Sequence, residues 1–161
     1  MVTVEEVWNY LDQVFDPEVP VLTIRDLGIV RDVIVTDHLV NVVITPTYTG
    51  CPAMSRIEDD IKEVLLNHGI ENCKVDMVLS PAWTTDWLSE NGKKKLEEYG
   101  IAPPVDETDK SVLFSEPDVI PCPRCKSKNT RLISQFGSTA CKAHHQCKDC
   151  LEPFDYFKCL K

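Results

Sequence analysis

The feature that most constrains this 161-residue chain is a pair of cysteine pairs near its C-terminal end, Cys122-Pro-Arg-Cys125 and Cys147-Lys-Asp-Cys150, with 21 residues between them. A CxxC turn lets two thiolates point at one ion, and two such turns complete a tetrahedral sulfur site. Residues 120–161 are too few to bury a core of their own, so a unit of that size needs a metal or disulfide staple. The intervening TRLISQF and the stretch from Ser138 to His145 suit the strands of a β-hairpin, so the segment reads as a metal ribbon. Closed four-cysteine sites favour zinc and also suit iron; zinc is the expected ion. Reduced thiols without metal would leave the unit unstapled.

Four cysteines lie outside these pairs. Cys141 and Cys159 sit in expected strands, where small interior residues are the plain reading and a second thiol or metal pair the sharper one. His144 and His145 adjoin a knuckle, but strand alternation turns them to opposite sides, and both read as surface histidines. The N-terminus, MVTVEEVWNYLDQVF, lacks a basic start followed by an apolar core, so a cytoplasmic location is expected. No apolar run approaches the roughly 20 residues that span a bilayer. In the cytoplasm, eight cysteines point to metal ligands and reactive thiols rather than to a disulfide framework.

The net charge of −9 is unevenly spread. Residues 119–161 hold eight Lys and Arg against three acids, whereas the rest of the chain holds nine against 23. Such a split suggests two bodies with different partners. Basic residues interleaved with Phe154, Tyr156 and Phe157 raise the possibility of nucleic acid. Four thiolates around one Zn²⁺ carry −2, however, which lowers the ribbon from +5 to about +3. The acidic body would repel phosphates, so protein docking is the stronger expectation for the ribbon.

The N-terminal part reads as an α+β domain of order α-β-β-α-β-α, ending near residue 101. Thr3-Val4-Glu5-Glu6 is a capping box, and Val4, Val7, Trp8, Leu11 and Val14 fall on one helical face. Asp16-Pro17 is expected to end that helix, and residues 17–28 to form an ordered loop. Strands follow at about 29–35 and 39–45, joined by a turn at Thr36-Asp37-His38. A helix over about 52–68 presents Met54, Ile57, Ile61, Val64, Leu65 and His68 on one face and stops at Gly69. A strand over about 74–79 precedes the SPAWTTDW loop, and a short basic helix ends at Gly100. Residues 102–119, rich in proline and acids, read as a linker before the ribbon at 120–161.

Within TYTGCPAM (47–54), Cys51 lies where a strand gives way to a helix. Pro52 suits the first helical position, which puts Cys51 at or next to the N-cap. The free amides and partial positive charge there are expected to lower its pKa and make thiolate available. Gly50 keeps the approach open. Such a thiolate could hold one corner of an iron–sulfur cluster shared with another chain, or act as a nucleophile. It could equally be a buried thiol sealing the helix end, and the same amides could hold a phosphate. The nucleophile reading lacks a base, since His38 falls in a turn and His68 at the far end of the helix. Asp16, Glu18 and Asp26 are acidic loop residues within plausible reach, and carboxylates raise a thiol's pKa. Cys73 reads as core, as does at least one of Trp83 and Trp87.

Together, DPEVPVLTIRDLGIV (16–30), TPTYTGCPAM (45–54) and SPAW (80–83) resemble the MIP18-like family, associated with iron–sulfur protein maturation. The resemblance covers roughly residues 3–101. With the tail motifs CPRC, SQFGSTACKAHHQCKDC and EPFDYFKC, nearly the whole chain is similar to a family of accessory subunits of the bacterial phenylacetyl-CoA epoxygenase system. That resemblance implies a non-catalytic role in maturing the metal centres of an oxygenase and its iron–sulfur reductase. It carries the family's reactive cysteine over to Cys51, its acidic loop to Asp16 and Glu18, and its ribbon ligands to Cys122, Cys125, Cys147 and Cys150. One thiolate supplies too few ligands for a stable cluster, so a transient cluster bridged by a dimer or shared with a partner fits better. A docking protein that handles no iron is the main rival, and a nucleic-acid-binding ribbon the third reading.

Overall fold

Thr3 and Glu6 close the capping box that their spacing predicts. The Thr3 hydroxyl accepts the Glu6 amide at 3.2 Å and the Glu6 carboxylate accepts the Thr3 amide at 2.8 Å. Helix α1 (Val4–Leu11) buries Val7 and Leu11, while Val4 remains exposed. It ends before the expected stop at Asp16-Pro17, because the chain turns back on itself. The Ile24 amide bonds the Val14 carbonyl at 3.0 Å, and the Asp16 amide bonds the Leu22 carbonyl at 2.9 Å.

The computed structural model describes residues 1–104 and 119–157. It divides into two units, Met1–Gly92 and Lys93–Lys161. Among the described residues, no helix is long and apolar enough to cross a membrane.

In the first unit, a one-turn helix α2 (Ile24–Leu27) occupies part of the segment expected to be loop. Thr23 and Asp26 form a second capping box around it, and Gly28 ends it at φ +72°. A Cβ at Gly28 would lie 2.3 Å from the Trp87 carbonyl oxygen. Left-handed strain costs roughly 1–2 kcal/mol and overpacking about 1–3 kcal/mol more. Gly28→Ala is therefore expected to destabilise this unit by about 2–5 kcal/mol, read as a lower urea midpoint at unchanged slope.

Strands β1 (Val30–Val35), β2 (Val40–Ile44) and β3 (Cys73–Met77) form a sheet in that order, β1 antiparallel and β3 parallel to β2. The parallel pair needs a crossover, supplied by α3 (Ala53–Asn67). Its buried residues Ala53, Met54, Ile57, Ile61 and Leu65 recur at helical spacing. His68, expected on that face, is instead exposed at the C-cap and stacked on Tyr10 at 3.8 Å. Trp83 enters the core, 4% exposed, and its indole N–H donates to the Leu27 carbonyl at 2.7 Å. Trp87 is half-buried under the Arg31 guanidinium. Cys73, expected in the core, is only half-buried because it opens the edge strand β3.

In the second unit, the sheet order is β4 (Ile101–Ala102), β7 (Pro153–Phe157), β6 (Lys142–Cys147), β5 (Thr130–Ser134). The expected hairpin is β5–β6. Ile101, expected to close the first domain, and Ala102, expected to open the linker, pair with β7, and the short basic helix α4 (Glu90–Tyr99) runs into them. Of the expected linker at 102–119, residues 105–118 lie outside the described residues.

Candidate functional sites: the Cys51 turn and a four-cysteine centre

Cys51 stands just outside α3. Pro52 is the N-cap and makes no side-chain capping bond; Ala53 is the first helical residue. The Cys51 amide donates to the Tyr48 carbonyl at 3.2 Å, which folds TYTGC into a turn. Gly50 takes φ +80°, and nothing lies within 4 Å of the position a Cβ would occupy, so this side of the turn is open.

The half-buried thiol has its pKa raised, contrary to the expectation that the helix N-terminus would lower it. Burial is the largest cause. The Ala53 amide does reach the sulfur and lowers the pKa, as does Tyr48, but the carboxylates of Glu18 and Asp16 push it up again. Helix amides and acidic neighbours thus compete at one sulfur, and desolvation decides the direction.

Asp16 is 7% exposed and shapes the acidic loop itself. Its Oδ1 accepts the Glu18 amide at 2.7 Å and the Val19 amide at 2.9 Å. Asp26, the third acidic candidate, is used elsewhere: its Oδ1 accepts the Ser89 hydroxyl at 3.1 Å and its Oδ2 the Thr23 amide at 3.3 Å. His38 lies near the β1–β2 turn, and His68 closes the far end of α3. Removing one negative neighbour should free the thiol. Glu18→Gln is expected to speed alkylation of Cys51 at fixed pH, read by mass spectrometry of the Cys51 peptide; an unchanged rate would remove Glu18 from the site.

In the second unit, the two CxxC turns are built alike. The Cys122 amide bonds the Ser127 carbonyl and the Cys147 amide the Glu152 carbonyl, both at 2.9 Å. The residue after each pair, Lys126 or Leu151, takes a left-handed φ of 63° or 64°. All four sulfurs lie within 4.8 Å of one another, with Cys122–Cys150 at 3.7 Å and Cys125–Cys147 at 3.5 Å. Sulfurs about 2.3 Å from one tetrahedral ion stand about 3.8 Å apart, so the set fits a four-coordinate metal.

The surroundings suit that role. Cys122 and Cys147 pack with Ala102, Ile120 and Phe154 in a small apolar core. The Cys150 amide bonds the Cys147 sulfur and contributes most to lowering its pKa to about 7. Cys150 is pushed up to about 12: the Glu152 amide lowers it, but burial and the neighbouring thiols outweigh that. Such mutual suppression is what a divalent cation relieves when four thiols share it.

His144 and His145 are not members of the four-sulfur group. His145, expected at the surface, is 7% exposed, because its strand face is the inner one. It stacks on Phe154 and meets Tyr156 edge-on, and burial lowers its pKa. His144 faces Asp155 at 3.4 Å. Cys141 is buried, with the Thr139 hydroxyl 3.0 Å from its sulfur. Its candidate partner Cys159 lies outside the described residues.

The two units match separate family models: residues 4–79 match the iron–sulfur cluster assembly protein family, and residues 106–158 the PaaD zinc beta ribbon domain. An Fe-S protein maturation auxiliary factor of Porphyromonas gingivalis is 35% identical over 58% of this chain and 90% of its own length. The crystal structure of a domain of unknown function from Bacillus anthracis covers 58% of this chain and 90% of its own, with TM-score 0.55 and 30% identity. A protein of Escherichia coli strain K12, whose name makes it one of the subunits of a "Putative 1,2-phenylacetyl-CoA epoxidase", is 48% identical over 98% of this chain and 93% of its own. With both units present in order and that identity across nearly all of both sequences, the chain belongs to this family of epoxidase subunits, in which an iron–sulfur assembly domain is followed by a zinc β-ribbon.

Proposed function

We propose that this protein is a non-catalytic accessory factor that matures the metal centres of a phenylacetyl-CoA epoxidase complex, the iron–sulfur or diiron centres of its reductase or oxygenase components. The observation that carries this reading is the Cys51 turn: a half-buried thiol beside the open Gly50 position, flanked by Glu18 and Asp16, in the unit that matches the iron–sulfur assembly family.

The raised pKa suits a transient handler. A thiol that is protonated at rest does not hold a cation tightly, and it becomes a ligand when the incoming metal displaces its proton. One sulfur supplies one corner of a cluster; the other ligands come from a second copy of the chain or from the client. The cluster is cargo here.

Cys122, Cys125, Cys147 and Cys150 hold the ribbon's zinc, whose contribution is to cross-link the two knuckles. The ribbon docks the client while the first unit carries the iron chemistry. The test is Cys51→Ala in cells that express the whole complex, reading iron and sulfide in the client. A docking role without iron handling is favoured by the exposed edge of the ribbon, and it predicts unchanged client iron.

A further inference from the structure

The ribbon sheet has two unlike edges. At one, β4 is two residues long and buried. At the other, β5 is exposed at Arg131, Leu132, Ile133 and Ser134 in succession, and among the described residues no strand pairs with its outer side. An edge strand carries a row of main-chain donors and acceptors ready for a further strand.

The side chains say what kind of strand. Leu132 pairs with His145, and His145 with Phe154. Residues in register point to the same face, so these three form one row across the sheet. Burial falls along it: Phe154 is 4% exposed, His145 7%, and Leu132 43%. The apolar row therefore runs out at the edge on a half-covered leucine. Ile133, at the bulge between Leu132 and Ser134, is 50% exposed. That bulge limits a visiting strand to a short run and protects the edge from indiscriminate pairing.

Charge selects the partner. Within the ribbon, Arg124 is paired with Glu152, Lys126 with Glu97, and Lys142 is buried. Lys128, Arg131 and Lys148 are exposed and make no ion pair among the described residues. They gather at the start of β5, where the Lys148 amide bonds the Asn129 carbonyl and Arg131 lies across from Gln146.

The geometry points to β5 as a docking edge for a short extended segment of a partner protein that alternates apolar and acidic residues. An apolar side chain continues the Leu132 row, and its acidic neighbour, on the opposite face, meets Arg131. A second copy of the chain pairing β5 to β5 would bring the two sets of cations together. Nucleic acid would leave the apolar row and the main-chain groups unused. The inference names the surface and partner chemistry for the docking role assigned to the ribbon, and it does not depend on Cys51.

The test uses the full metal-loaded chain and a short fluorescein-labelled peptide of alternating Glu and Val, with a Lys–Val peptide and oligothymidylate as controls. Saturable binding of the Glu–Val peptide is expected, with amide shifts centred on residues 130–134. Leu132→Asp and Arg131→Glu should each weaken it at least tenfold while metal content and the Phe154 resonances stay unchanged. Arg131→Glu should also turn the preference toward the Lys–Val peptide. No binding, equal binding of both peptides, tighter binding of oligothymidylate, or shifts explained by self-association in sedimentation would each overturn the inference. Cys51→Ala should leave peptide binding intact, so that loss of client maturation in that variant counts against the iron-handling reading alone.

Discussion

Replacing Cys122 or Cys147 with serine is expected to abolish the ribbon fold while the first unit stays folded. Both residues are fully buried and belong to the same small cluster as Ala102, Ile120 and Phe154, so the metal site and the core are one structure. That cluster is too small to hold three strands against chain entropy without a cross-link. The loss should appear as collapse of amide dispersion for residues 120–157, with zinc per chain falling from one to near zero. Removing the metal with a strong chelator should have the same effect and be reversed by added zinc. Cys141→Ser is the control: Cys141 is buried but outside the four-sulfur group, so metal content should stay at one. A ribbon that keeps its strands without metal would show that the apolar cluster suffices.

The legibility of these elements in the sequence follows from how local their causes are. The start of the first helix, the strand–helix–strand crossover and both CxxC turns are set by short-range rules of capping, periodicity and ligand spacing, and they stand where those rules put them. The end of that helix, expected at Asp16-Pro17, comes earlier because the chain turns back on itself. The short α2 helix is also spelled locally, as Thr23-Ile-Arg-Asp26 closed by Gly28, but the prolines before it favour a loop reading. β4 has no local signature. Ile101 and Ala102 form a strand because β7, more than fifty residues away, offers an edge.

The direction of the Cys51 shift belongs to the same class. A helix start is visible in GCPAM, and so is the acidic loop that opposes it, but the burial that is the largest cause arises from the tertiary fold and reverses the helix-end expectation. His145 shows the opposite failure. Alternation places it and His144 on opposite sides, but does not say which side is the core.

Cys51→Ala is expected to leave the fold and complex assembly intact and to reduce iron–sulfur content in the client to the level seen without this protein. The fold should survive because the thiol is only half-buried and lies outside α3, whose buried face begins at Ala53. Assembly should survive because the proposed docking role falls to the ribbon, a separate unit. Cys51→Ser separates ligation from packing: it keeps the size and hydrogen-bonding reach of the side chain but replaces a soft sulfur donor with a poor one for iron. Serine should therefore fail as alanine does. If serine instead restored client iron, the residue would act by shape or hydrogen bonding at the turn, and the iron-handling reading would fall. Full client iron in both variants, with the complex still assembled, would leave the docking role as the whole of the function. Anaerobic purification is needed for the comparison, since a cluster held by one resident thiolate and borrowed ligands exchanges and oxidises faster than a closed four-cysteine site.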